Sequence, residues 1–146
     1  MRRVSKVWQL PVARRWLLIE AALWLLAARL ALRVLPFRWL ARLFERPPKG
    51  PEVVRAERAR LRKEVRWAIH MATRQLPGRV VCFPRAVTAQ VMLRRRGVGT
   101  TLYYGAATEA EGGLTTHVWV QDGAEGVIGH LMARGYQTLA RYPEAR

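Results

Sequence analysis

The sequence contains one cysteine, Cys82, in 146 residues. A single thiol excludes an intramolecular disulfide framework and the zinc sites built from several cysteines. Low cysteine content is typical of proteins in a reducing compartment. We therefore expect a cytoplasmic protein without a disulfide, a metal or another cofactor.

Acidic residues are also scarce, with 10 Asp and Glu against 26 Lys and Arg, which gives a net charge of +16. Such an excess favours an acidic partner, an anionic membrane surface or nucleic acid, and composition does not choose among them. Part of the arginine content is also what a GC-rich genome would produce. We expect no nucleic acid partner.

A long, uninterrupted hydrophobic run is missing as well. Residues 16–35 are long enough to span a bilayer, but Glu20, Arg29 and Arg33 interrupt them. Each of these charges would be costly at the centre of a membrane. The apolar run also lacks a small-residue cleavage site, which argues against a secretory signal peptide.

Residues 1–46 are predicted to form a basic helical region rich in Leu, Ala and Trp. From Arg14 onward, apolar residues recur at spacings of three and four, and Pro36 separates a second short helix over 37–44. The apolar stripe consists of Leu17, Ala21, Trp24, Leu25, Ala28 and Leu32. Three interpretations stay open: packing on the domain core, docking of a partner protein, or peripheral membrane contact through residues 14–44.

Residues 47–51 contain three prolines and predict an extended linker, where we place a sub-domain boundary. A further, longer helix is predicted over 52–76, and Pro77-Gly78 ends it. Its apolar stripe is Val54, Leu61, Val65, Ala68, Ile69 and Ala72, and its arginines predict a solvated polar face. Residues 52–146 form the predicted core domain.

After Gly97 the hydrophobic period changes from a helical spacing to two. Strands are predicted over 98–107, 114–121 and 127–130, with a fourth element over 136–142. Helices followed by an antiparallel meander define the α+β class.

Cys82 lies where the valines 80 and 81 give way to a helical pattern that runs to Arg96. A thiol at a helix N-terminus faces unpaired backbone N–H groups and the positive end of the helix dipole. Both favour the nucleophilic thiolate. Pro84 suits the first turn, where its missing N–H costs nothing. The stretch therefore predicts a nucleophile, and the alternative is a small buried core residue.

His117, on the predicted strand 114–121, is the candidate base for Cys82. A third group usually orients such an imidazole, and Asp122 and His130 are the candidates. Asp122 lies at an odd offset from His117 and so faces the other side of a regular strand. If Gln121 pairs with Gly126, His117 lies opposite His130, which makes His130 the better candidate. The alternatives are a satisfied core role for His117 and a surface role for His130.

The oxyanion that forms during acyl transfer requires hydrogen-bond donors close to the nucleophile. The backbone N–H groups of Cys82 and Phe83 are the predicted donors, with the side chain of Gln75 as an additional candidate.

Four stretches follow one another in the second half of the sequence: Cys82-Phe83-Pro84-Arg85-Ala86, Leu93-Arg94-Arg95-Arg96-Gly97, His117-Val118-Trp119-Val120 and Val127-Ile128-Gly129. Together they resemble the transglutaminase-like core of lasso-peptide leader peptidases. In that family the pattern is Cys-x-Pro-Arg-Ala, a helix ending Leu-Arg-Arg-Arg-Gly, and a strand His-Ala-Trp-Val-Glu. The Arg- and Leu-rich front also resembles the stand-alone, split form of the enzyme.

The resemblance implies a papain/transglutaminase-like cysteine protease that removes the leader from a ribosomally made precursor peptide. Cys82 corresponds to the family nucleophile and His117 to its base. The implied partners are a separate leader-recognition protein and an ATP-dependent macrolactam synthetase. The family's third member is an Asp near the end of the next strand. That place falls at Gly129 or His130 here, so either His130 substitutes or the enzyme works as a dyad.

Two other functions remain open at this point. One is a non-catalytic basic module that associates with a membrane or nucleic acid, in which Cys82 is merely buried. The other keeps the reactive thiol but transfers the acyl group to an amine instead of water.

Overall fold

A computed structural model describes residues 8–48, 50–79 and 81–143. The predicted regions 1–46 and 52–146 therefore include residues that lie outside this description. The helices are α1 (Val12–Val34), α2 (Phe37–Phe44), α3 (Arg55–Gln75) and α4 (Cys82–Arg95). The strands are β1 (Thr101–Thr108), β2 (Leu114–Asp122), β3 (Glu125–Ile128) and β4 (Gln137–Tyr142), with a 3-10 turn at His130–Met132 between the last two. The fold is α+β, as the sequence predicts.

The four strands form one antiparallel sheet in the order β3-β2-β1-β4. The first three strands make the predicted meander, and β4 then returns to lie beside β1. This arrangement is a Greek key, in which the fourth strand pairs with the first. β1 and β2 are consequently the central strands, and the candidate base His117 lies on β2.

Helix α1 packs against α3 and α4 through its inner face. Leu17, Ala21, Leu25 and Ala28 are buried there, as predicted, and they belong to the same hydrophobic cluster as the core of the sheet. Leu32, the last residue of the predicted stripe, is 37% exposed. The inner face of α1 is therefore part of the core, whereas the sub-domain boundary at 47–51 remains a prediction.

Helix α3 buries five of its six predicted stripe residues, and the exception, Val54, is the exposed residue that precedes the helix. The prediction of a solvated arginine face is only partly right. Arg66 donates to the carbonyls of Val127 and Gly126, each at 2.7 Å. These bonds attach α3 to the edge strand β3, so this arginine positions the sheet.

Within the described residues, no helix combines the length and the apolar content needed to cross a bilayer.

Candidate active site

Cys82 is the first residue of α4, as predicted. Val81 precedes it in an extended conformation, and no side chain caps this helix end; Val80 lies outside the described residues. Because the first-turn N–H groups of a helix lack intrahelical acceptors, an anion at this end would meet them directly. Pro84 is buried in the first turn and contributes no N–H. The half-buried thiol of Cys82 thus lies at the helix end whose first-turn N–H groups can bind a neighbouring oxyanion.

The middle of α4 is fixed to one end of the sheet by Gln90. Its Nε2 donates to the carbonyl of Thr100 at 3.2 Å and to that of Tyr142 at 3.0 Å. Thr100 directly precedes β1, and Tyr142 ends β4. After Arg95 the chain turns at Gly97, which has a positive φ, and enters β1 at Thr101.

Cys82 and His117 are each separated from this attachment along their own elements. Cys82 lies eight residues before Gln90, or roughly 12 Å along the helix. His117 pairs with Gly105, which lies five residues, or roughly 17 Å, along β1 from Thr100.

His117 is a buried side chain held by one hydrogen bond, in which its Nε2 lies 2.8 Å from the carbonyl oxygen of Gly129. A carbonyl only accepts, so Nε2 carries the proton and Nδ1 keeps the lone pair. The ring also packs against Trp119, with centroids 5.9 Å apart, and Tyr136, with centroids 5.3 Å apart. The imidazole is thus held in the tautomer whose Nδ1 can take a proton.

Gly129 can hold His117 because it is a glycine. Gly129 directly follows β3, and its φ of +74° is in the left-handed region. This conformation turns the Gly129 carbonyl toward β2. A Cβ at this position would lie 3.0 Å from the Val118 carbonyl oxygen and 3.2 Å from His117 Nε2. A larger residue here would displace either the turn or the imidazole.

The predicted pairing of His117 with His130 is wrong. Gln121 does pair with Gly126, as expected, but a bulge then shifts the register so that Val120 pairs with Ile128. β3 ends at Ile128, and His130 begins the 3-10 turn. A Cβ on Gly126 would overlap the His130 ring, which shows that this ring lies over Gly126. The strand pairing from which a catalytic role for His130 was inferred is therefore not formed. That role remains a prediction.

Asp122 is buried and forms ion pairs with two arginines of α3. Arg62 Nη1 lies 2.5 Å from its Oδ2, and Arg58 bonds to both of its oxygens. Burial raises the pKa of Asp122, but the hydrogen bonds from Arg58 and Arg62 outweigh burial, and the pKa lies below its ordinary value. This carboxylate attaches α3 to β2 through its two arginine partners, and a catalytic role for Asp122 remains the less favoured prediction.

One contact at the start of α4 is not apparent from the sequence. Arg85 Nη2 lies 3.0 Å from His70 Nδ1, so the guanidinium donates to the imidazole. Partial burial and the charges of Arg85, Arg74 and Arg66 lower the pKa of His70. His70 and Arg85 are 15 residues apart on different helices, and only the packing of α3 against α4 brings them together.

The structure does not bring every candidate residue into contact. Val118 and Val120 pack into the helical core, and His117 alternates with them along β2. Among the described residues, no hydrogen bond joins the Cys82 thiol to the His117 ring.

Gln75 is the last residue of α3 and lines a cavity of about 370 Å³ beneath α1. Its role at the oxyanion remains a prediction.

A cysteine at the N-terminus of a helix that packs on an antiparallel sheet carrying a histidine defines the class of papain- and transglutaminase-like folds. Residues 22–141, most of the chain, match the transglutaminase-like superfamily, and the chain belongs to that superfamily. The superfamily includes cysteine peptidases. No curated protein and no solved structure matches the chain.

Proposed function

We propose that this chain is a cysteine peptidase that removes the leader from a ribosomally synthesised lasso-peptide precursor before macrolactam formation. The observation that carries the proposal is Cys82 at the uncapped N-terminus of α4, in a chain of the transglutaminase-like superfamily. The motifs around Cys82 and His117 support the narrower assignment to leader removal.

In the proposed reaction, Cys82 Sγ attacks the peptide carbonyl at the leader–core junction, and its proton passes to Nδ1 of His117. The backbone N–H groups of Cys82 and Phe83 stabilise the oxyanion. His117 then protonates the leaving amine as the C–N bond breaks and the thioester forms. His117 next takes a proton from water, which hydrolyses the thioester and regenerates the thiol.

The mechanism requires the thiol and the imidazole to approach each other. His117 alternates along β2 with the valines that pack against the helices, so substrate binding must be accompanied by movement of the first turn of α4 or of the His117 side chain. The carbonyl of Gly129 occupies the place in the mechanism that an acidic residue fills in related enzymes. It orients His117 without adding a negative charge, so it stabilises the imidazolium less than a carboxylate would.

The outer face of α1 supports the proposed docking of a separate leader-recognition protein. Exposed apolar residues recur there at spacings of three and four: Val12, Trp16, Ile19, Leu23, Leu26 and Leu30. A helix that is apolar on two faces is normally covered on both, and this spacing is the one that a partner helix packs against. In this proposal the macrolactam synthetase acts on the core peptide after its release.

Docking can be tested with Leu23→Glu and Leu30→Glu, measured by co-elution with the recognition protein and by sedimentation with anionic vesicles. Leu114→Glu is the matched control, because Leu114 is similarly exposed but lies on β2. Loss of co-elution in the α1 variants alone would support docking. Unchanged co-elution with lost vesicle binding would instead indicate peripheral membrane contact.

The reaction is tested by mass spectrometry of a precursor peptide incubated with this chain and the recognition protein. We expect cleavage at one junction with addition of water, and no cleavage with Cys82→Ala or His117→Ala. A product joined to an added amine without water would indicate acyl transfer. Equal cleavage by Cys82→Ala would show that Cys82 is not the nucleophile, and no cleavage by folded wild type bound to its partner would favour the non-catalytic module.

A further inference from the structure

Three consecutive arginines lie at the end of α4, Arg94 and Arg95 within the helix and Arg96 directly after it, and their side chains have different partners. Arg95 and Arg96 both bind the carboxylate of Glu20 on α1, at 3.1 Å and 2.5 Å. Arg94 is only 8% exposed, and no carboxylate of the described residues forms an ion pair with it. A buried guanidinium without an anionic partner is energetically unfavourable.

The Arg94 guanidinium is not needed to satisfy the last carbonyl groups of α4. Backbone N–H groups of Gly97 and Val98 already bind the carbonyls of Arg94 and Leu93, at 3.1 Å and 3.0 Å. The polar contact of Arg94 is a long hydrogen bond from Nη1 to the Leu43 carbonyl at 3.4 Å, and its Nε is buried without a partner. Burial lowers the pKa of Arg94 to about 10.

Arg94 lines a cavity of about 550 Å³ between the segment after α2 and the start of β1. Thr100 also lines it; this side chain is 4% exposed, and its hydroxyl oxygen has no partner. Arg46 adds a second cation to the wall, and Glu45 is the acid that faces it. The wall thus offers two guanidinium groups and an unpaired hydroxyl.

We infer that this cavity binds an oxyanion, the phosphate or carboxylate group of a small ligand, through Arg94 and Thr100. A planar guanidinium matches both groups with paired N–H donors. The volume is within the usual range for small-molecule sites. Arg94 lies roughly 18 Å along α4 from Cys82, so the site is separate from the proposed peptidase centre and does not depend on that function.

The test is the thermal midpoint of the full chain titrated with inorganic phosphate or with acetate, at constant ionic strength set with chloride. At about ten times Kd, we expect phosphate to raise the midpoint by roughly 4 °C. Arg94→Met, which keeps the apolar stem and removes the charge, should abolish the rise. Arg95→Met is the matched control and should retain it. A response to acetate alone would assign the site to carboxylates, and a response to phosphate alone to phosphate esters.

A second measurement uses the wild-type chain and does not depend on a variant that folds. Phenylglyoxal modifies arginines, and mass spectrometry maps the modified positions. We expect phosphate or acetate to protect Arg94 and to leave Arg95 unprotected. The inference would be overturned by an equal shift of the midpoint in Arg94→Met, or by neither anion protecting Arg94.

Discussion

The imidazole of His117 and the backbone carbonyl of Gly129 are joined by a 2.8 Å hydrogen bond across the end of β3. The bond fixes the ring with a main-chain group and not with a side chain. It depends on the left-handed conformation of Gly129, with φ at +74°. The geometry of a single glycine therefore determines the orientation of the proposed base.

Gly129→Ala should lower the proposed peptidase rate by about 100-fold, because the added Cβ moves either the carbonyl or the imidazole, and small misplacements are this costly. Gly123→Ala is the matched control, since Gly123 also has positive φ, at +60°, but nothing lies within 4 Å of its added Cβ. Peptide cleavage rates of both folded variants provide the comparison. Similar losses in the two would mean that backbone strain, not His117, explains the effect.

His130→Ala should change the cleavage rate by less than about threefold, since the Gly129 carbonyl already holds the base in this mechanism, whereas loss of an acid–base participant costs at least about 100-fold. Single-turnover cleavage measures the chemical step. A loss of about 100-fold in a folded His130→Ala protein would restore His130 as the third member and remove that role from Gly129.

Asp122→Asn should destabilise the fold by about 3 kcal/mol, because it leaves Arg58 and Arg62 without the charge that pairs them at a largely buried site. Urea denaturation gives the free energy of unfolding, and cleavage by the remaining folded protein should stay near wild type. Glu57→Gln, at an exposed ion pair with Arg60, serves as the control and should have little effect. A selective loss of activity with unchanged stability would argue for a catalytic Asp122.

His70 predicts a pH dependence of stability. Its pKa is lowered in the folded chain, so the unfolded chain binds a proton more readily below about pH 6.5. The stabilising contribution is fully present above that value and is lost as the pH falls through the lower folded pKa. His70→Gln should therefore flatten the fall in stability below about pH 6.5. Parallel urea titrations at several pH values test this, and identical slopes for the two proteins would contradict it.

Local patterns in the sequence identified most elements and the position of Cys82. The start of α4 follows from the change of hydrophobic period and from Pro84, and Gly97 marks its end. The buried stripes of α1 and α3 follow from spacings of three and four. These features depend on residues close together in the chain, where backbone propensity and side-chain direction act directly.

Contacts between side chains that are far apart in the sequence could not be predicted in the same way. Arg85 meets His70 across two helices, and Arg94 lines a cavity while Arg95 and Arg96 bind Glu20. Nothing in three adjacent arginines distinguishes them before the helices pack. The contacts of each depend on the direction in which its side chain leaves the helix and on what lies there.

The sequence by itself thus determined the α+β class, the helix that begins at Cys82 and the strand that carries His117, because each depends on local periodicity and turn residues. The tertiary structure decided what holds His117. A bulge between Val120 and Gln121 shifted the register, ended β3 at Ile128 and placed the Gly129 carbonyl against the imidazole in the position expected for His130. A one-residue shift of register changes every cross-strand partner beyond it, and strand patterning alone does not encode where such a shift occurs.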